Sequence, residues 1–138
     1  MEDRPRDEAE FARWRAEADR ALDAARVQAG AGLHNWSCFA AEQSAQLATK
    51  ALLHGLGRGP WGHDLVRLGD LAADAGVELR PEVLDAMRRL GRHYIPARYP
   101  DAHPSGPAAA HYAESDSADA IADAEAVLTA IDAAWSSL

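Results

Sequence analysis

The stretch from Trp36 to His54 constrains the fold more than any other part of the sequence. On a helical wheel at about 100° per residue, Trp36, Phe39, Ala40, Gln43, Leu47, Lys50, Ala51 and His54 fall on one stripe. Ala41, Ala45, Ala48 and Leu52 form a second face of small residues. A helix that is apolar on two sides needs neighbours on two sides, so it belongs inside a bundle. Gln43 and Lys50 break the first stripe, where an unpaired amide or ammonium is costly. Either they carry their polar ends out to solvent or to a neighbouring helix end, or they belong to a site. Lys50 is the only lysine, against thirteen arginines.

The rest of the chain repeats the helical period and gives no convincing strand. Phe11, Trp14, Ala18, Leu22 and Ala25 mark a first helix from Asp7 to Ala29, stopped by Gly30-Ala31-Gly32. The second runs from about Leu33 to Leu56 and ends in a Gly- and Pro-rich run. Asp64 to Ala75 is a third, closed by Gly76. Pro81 opens a fourth with the stripe Val83, Met87, Leu90 and Tyr94. A proline-rich loop from Pro96 to Pro107 precedes a last helix, about Ser117 to Ser137, with Ile121, Ala124, Leu128, Ile131 and Trp135 in register. The expected fold is all-α: an up-down four-helix bundle with a fifth, shorter helix, in one domain over residues 7–137 after a disordered 1–6. Short links favour antiparallel neighbours. Up-and-down threading then gathers the end of the second helix (Lys50, His54), His63-Asp64, and the segment Arg92 to Arg98 at one end of the bundle.

At 138 residues the chain is close to the modal domain size. It has no apolar run that would span a membrane and no signal-peptide pattern at its start. The single cysteine, Cys38, reads as a small core residue in a reducing cytoplasm. A net charge of −8 argues against broad, non-specific contact with nucleic acid. The charge is uneven: Arg80, Arg88, Arg89, Arg92 and Arg98 cluster, while Glu114, Asp116, Asp119, Asp123, Glu125 and Asp132 make the last helix acidic. The basic segment either meets phosphate or pairs with an acidic helix.

Three segments then point to a family. Gln43-Ser44-Ala45-Gln46-Leu47-Ala48-Thr49-Lys50-Ala51-Leu52-Leu53 resembles the Q-A-A-E-K-A-L-K-A-L helix of HEPN domains (higher eukaryotes and prokaryotes nucleotide-binding). Gly62-His63-Asp64-Leu65 and Arg98-Tyr99-Pro100-Asp101 resemble that family's His-Asp-Leu and Arg-Tyr-Pro-Asp signatures, in the same order. Gln46 and Leu47 stand where the family has Glu and Lys. The resemblance spans about Asp7 to Trp135. It implies a nucleotide- or RNA-binding homodimer, without cofactor, partnered with a small nucleotidyltransferase in a toxin–antitoxin-like pair. In that setting Lys50, Arg98 and His63 hold phosphate, Asp64 orients His63, Asp101 fixes Arg98, and Tyr99 flanks a base.

Many HEPN proteins are metal-independent endoribonucleases built on an arginine followed four to six residues later by a histidine. The histidine moves a proton as the 2′-hydroxyl attacks, and the arginine stabilises charge on the phosphate. Arg58–His63, Arg88–His93 and Arg98–His103 fit that spacing, but roughly two matches arise by chance in such a composition. Arg98, His103 and His63 are the candidates for chemistry. The alternatives are a purely structural dimerisation or interaction module, in which Asp64 merely caps the third helix and Tyr94 and Tyr99 are buried pegs. No Glu-x-x-His occurs and cysteine is too scarce for a thiolate site, so no metal is expected. His34, His54 and His111 stand alone in sequence.

Overall fold

The computed structural model describes residues 5–138, so the expectation for 1–6 falls largely outside the described residues. Five α-helices follow one another: α1 (Glu8–Gly30), α2 (His34–Gly55), α3 (Leu65–Asp74), α4 (Pro81–Gly91) and α5 (Glu114–Ser136), with single 3-10 turns at Pro100–Ala102 and Ala108–His111. No strand occurs among the described residues. Three helices are long and two are short, which refines the expected bundle without changing its class.

The helix starts follow from local chemistry. Asp7 caps α1 by accepting from the Glu10 amide at 3.0 Å, with Glu8 and Glu10 in the first turn. Asp64 Oδ1 accepts from the amides of Val66 and Arg67 at 3.1 and 3.3 Å, capping α3. Pro81 sits in the first turn of α4. The last helix begins at Glu114, three residues before its expected start, because Asp116 reaches back to the Ala113 amide at 2.7 Å.

Helices α1 and α2 form a tight antiparallel pair. The Ser37 and Ser44 hydroxyls donate to the carbonyls of Ala25 and Ala18, each at 2.7 Å, and the Asp7 amide donates to Gly55 O at 2.8 Å. Serine and alanine on this side of α2 allow backbones to approach closely enough for such bonds. The start of α5 meets the start of α2 at His34–Ser117 (2.8 Å). Its end packs Trp135 flat on Phe11, centroids 4.3 Å apart. A Cβ on Gly55 would fall 2.5 Å from the Trp135 ring. Leu22, Leu52, Leu65, Leu68, Met87, Leu90, Val127 and Ile131 fill the core between these elements.

The direction of α3 departs from the sequence expectation. Its start, with His63 and Asp64, faces the end of α4 and the segment beyond it. Its Leu71 and Asp74 lie beside Leu53 and Arg58, at the end of α2. Thus α3 runs in the same sense as α2, and α4 returns, pairing Arg89 with Asp123 of α5. The connector 57–64 is responsible. At about 3.3 Å per extended residue it can retrace a ten-residue helix of about 15 Å, and Gly57 and Gly62, with φ of 76° and 87°, turn it. A link of that length does not force an antiparallel neighbour, so the convergence expected at the far end of α2 does not form.

Candidate functional site

What converges instead lies on the first half of α2. Past Gly91 the chain leaves the helix and continues as turns through Arg98, which takes Tyr94 off the α4 stripe. Asn35 of α2 pins this segment by donating to Ala97 O at 3.0 Å. A row of rings crosses the surface here: Trp36 edge-on to Phe39 (6.4 Å), Phe39 tilted against Tyr94 (6.2 Å), and Tyr94 stacked on His63 (5.0 Å, 16°). The Arg98 guanidinium lies 4.6 Å from the Phe39 ring, 4.4 Å from Tyr94 and 5.0 Å from Tyr99. Its Nε donates to Tyr94 O at 2.7 Å. Among the described residues no carboxylate pairs with it. A guanidinium fixed by Nε and by three ring faces presents its terminal nitrogens as a pre-oriented fork.

The other arginines of the basic cluster differ. Arg89 holds Asp123 with two bonds of 2.9 and 3.0 Å, Arg88 pairs with Asp85 and Arg80 with Glu82. The two readings of the cluster therefore divide: Arg89 serves the acidic helix of its own chain, while Arg92 and Arg98 have no ion pair among the described residues. Arg88 and Arg92 line an open groove of about 510 Å³ with His63, Asp64, Tyr94 and Ile95.

The remaining candidates are scattered. Lys50 lies further along α2 than this site; burial lowers its pKa, against the opposing pull of Glu42. Asp64 spends Oδ1 on the α3 cap. Asp101 is exposed and makes no ion pair with Arg98, whose Nε is held by a backbone carbonyl instead. Tyr99 is 46% exposed and its ring lies 5.0 Å from the Arg98 guanidinium, so it is not the buried peg of the structural alternative. His103 bonds through Nε2 to Pro96 O at 2.7 Å and stacks on His111 at 4.3 Å. His93 bonds to the Tyr112 hydroxyl, and burial lowers its pKa. His54 stacks on Trp14, so it too has a local partner. Cys38 is fully buried, which pushes its thiol up to about 12; it is a core residue, as its position suggested.

Sequence reasoning missed Glu42. Its carboxyl is wholly buried and accepts from the amides of Gln43 at 2.8 Å and Gln46 at 2.6 Å. Gln43 and Gln46 thus satisfy a neighbouring acid. Burial pushes the Glu42 pKa up to about 7, against the opposing pull of the two amides, Arg98 and Lys50. The available signal was that Glu42 is the only acidic residue of α2, with Ala40-Ala41 before it.

Such a bundle, with a ring-lined arginine in the segment after its fourth helix, places the chain among small all-α domains. The family model for the HEPN domain matches residues 11–134, and the chain belongs to the HEPN domain family. It is similar to the crystal structure of TT1696 from Thermus thermophilus, with 36% identity, a TM-score of 0.84, and coverage of 90% of this chain and 97% of that one. An archaeal HEPN homologue, ST0689, aligns at 28% identity and a TM-score of 0.76 over 89% and 95% of the two chains. A HEPN domain protein from Thermotoga maritima shares the fold at 23% identity and a TM-score of 0.73, over 91% and 99%. No curated protein matches the sequence significantly. No described helix is long and apolar enough to cross a membrane.

Proposed function

We propose that this protein binds the phosphate of a nucleotide or of single-stranded RNA at Arg98 and the adjoining groove lined by His63, Arg88, Arg92 and Tyr94. It does so as a cytoplasmic HEPN-type homodimer partnered with a small nucleotidyltransferase in a toxin–antitoxin-like pair. The observation that carries this reading is Arg98, fixed by three rings and a carbonyl and without a carboxylate partner among the described residues. A fork held this way matches phosphate oxygens, and the adjoining Tyr99 and His63 rings offer faces on which a base stacks. Lys50, further along α2, stands outside this groove and is not assigned a ligand contact. Asp64 acts mainly by capping α3 and so holding His63 against Tyr94. The half-exposed Trp36 at the start of α2 suits a dimer contact beside the site, which sets two grooves near one another.

Calorimetric titration of Arg98→Ala with ATP and, separately, with a short single-stranded RNA tests this. A charged hydrogen bond contributes about 1.5–3 kcal/mol, so binding should weaken by about tenfold to a hundredfold for whichever ligand is the natural class. Unchanged affinity removes the reading. Cleavage of the RNA in the presence of chelator, lost in His63→Ala, would sharpen it to a metal-independent endoribonuclease. Binding of neither ligand, with a nucleotidyltransferase co-purifying, would instead mark a structural interaction module.

A further inference from the structure

We propose that Glu42 couples anion binding at Arg98 to the uptake of one proton by its own carboxyl group; this rests on the ligand reading above and adds a regulation to it. Three observations converge. The carboxyl is completely buried. Its oxygens are held by two neutral amides, from Gln43 and Gln46, with no cation within ion-pair distance among the described residues. The charges that act on it are Arg98, whose guanidinium packs on Phe39 about one turn before Glu42, and Lys50, about two turns further along α2. At this level α1 meets α2 through Ala18, whose carbonyl is already taken by Ser44.

A carboxylate in such a place meets a large desolvation cost, offset first by the two amide hydrogen bonds and then by the field of the two cations. An incoming phosphodiester claims the terminal nitrogens of Arg98 and brings a second negative charge into the same field. Two negative charges then draw on the field of one guanidinium, and the buried one takes a proton from solvent and becomes a neutral acid. As a neutral acid, one of its oxygens becomes a donor, and the Gln43 or Gln46 amide reorients to present its carbonyl oxygen. No bond other than O–H forms. By linkage, what binding does to the proton, the proton does to binding, so the affinity for a phosphodiester rises as the pH falls. Glu42 is a positioning residue in this scheme, since it touches the ligand only through Arg98.

The probe is a short oligoadenylate without terminal phosphates, whose phosphodiesters do not titrate near neutrality. Titrated calorimetrically in two buffers of different ionisation enthalpy at pH 7.5, the wild-type protein should take up a large fraction of a proton per strand bound. Its affinity should rise about tenfold from pH 8 to pH 6. Glu42→Gln should bind without proton uptake and with a flat pH profile, while His93→Gln, which removes the buried histidine bonded to Tyr112, should keep both effects. Uptake that survives in Glu42→Gln, or vanishes in His93→Gln instead, overturns the proposal. So does the absence of any uptake in the wild-type protein, a measurement that needs no variant. If the strand fails to bind at every pH the ligand reading falls, and the inference with it. If it binds with Arg98-dependent affinity but without a proton, only the inference falls.

Discussion

On the side of α2 turned to α1, Ser37 and Ser44 donate to α1 carbonyls, and Ala41 and Ala48 continue the same stripe. On the side turned to the segment after α4, the same helix carries Phe39, which packs against Arg98, and the buried Glu42 with its partner Gln46. Both sides are largely closed to solvent, yet only the first gains stability from its closeness. Small residues there let two backbones come together, and each hydroxyl finds a carbonyl without leaving a polar atom stranded. The second side encloses a carboxyl group and aims a cation outward, an arrangement that costs stability. Where a helix gives up stability at one face while optimising the other, the costly face is where function is expected.

The largest effect that separates the two regions is in the apolar seam. Ile131 is fully buried in α5 between α2 and the rest of the core. Ile131→Ala should lose about 2–5 kcal/mol in urea denaturation, whereas Arg98→Ala should lose less than about 1 kcal/mol and yet weaken ligand binding. A comparable destabilisation by Arg98→Ala would break the comparison, because the arginine would then be a structural clamp on the segment it sits in.

The second effect tests the cost of the polar side directly. The Glu42 pKa stands at about 7 in the folded protein against an ordinary 4.5. Between those values the folded state keeps a proton that the unfolded chain has released, so stability should fall as the pH rises from about 4.5 to 7 and level off above. The displacement corresponds to about 3 kcal/mol at most. Glu42→Gln should remove that fall and be the more stable protein at pH 8. His93, whose pKa is lowered by burial, acts in the opposite sense, gaining stability as the pH rises through its range. It does so equally in both proteins, so their difference isolates Glu42. A wild-type protein as stable at pH 8 as at pH 5, relative to Glu42→Gln, would show that the acid is comfortably solvated.

Much of the first side was legible in the sequence, because it is built from periodicity. The α5 stripe, the small face of α2 and the burial of Cys38 all follow from spacing alone. The second side was legible only in parts. His63, Arg98 and Tyr99 could be singled out, but their meeting place depends on the direction of α3. That direction is set by how far the connector 57–64 extends, and no periodicity encodes it. Lys50 was grouped with them on the assumption of short links. Glu42 escaped notice because a lone acid in a helix ordinarily points to solvent, and only its enclosure by Gln43, Gln46 and the Arg98 segment makes it unusual.

The smallest effect decides what Asp64 does, and so where the second region ends. Its Oδ1 accepts from the amides of Val66 and Arg67, which satisfies two donors of the α3 start, while the residue remains exposed at the rim of the groove. Removing a cap costs about 0.5–2 kcal/mol, so Asp64→Ala should lower stability by about 1 kcal/mol in thermal or urea unfolding. Asp64→Asn keeps an oxygen acceptor and should restore most of that loss, because asparagine caps as well as aspartate does. The charge is the remaining difference between the two variants. If Asp64 works only through the cap, Asn should bind the ligand as the wild-type protein does, or slightly better, since one negative charge has left a groove that receives phosphate. If Asn restores stability but not affinity, the carboxylate itself belongs to the site, and the polar region extends from α2 across the groove to the first turn of α3.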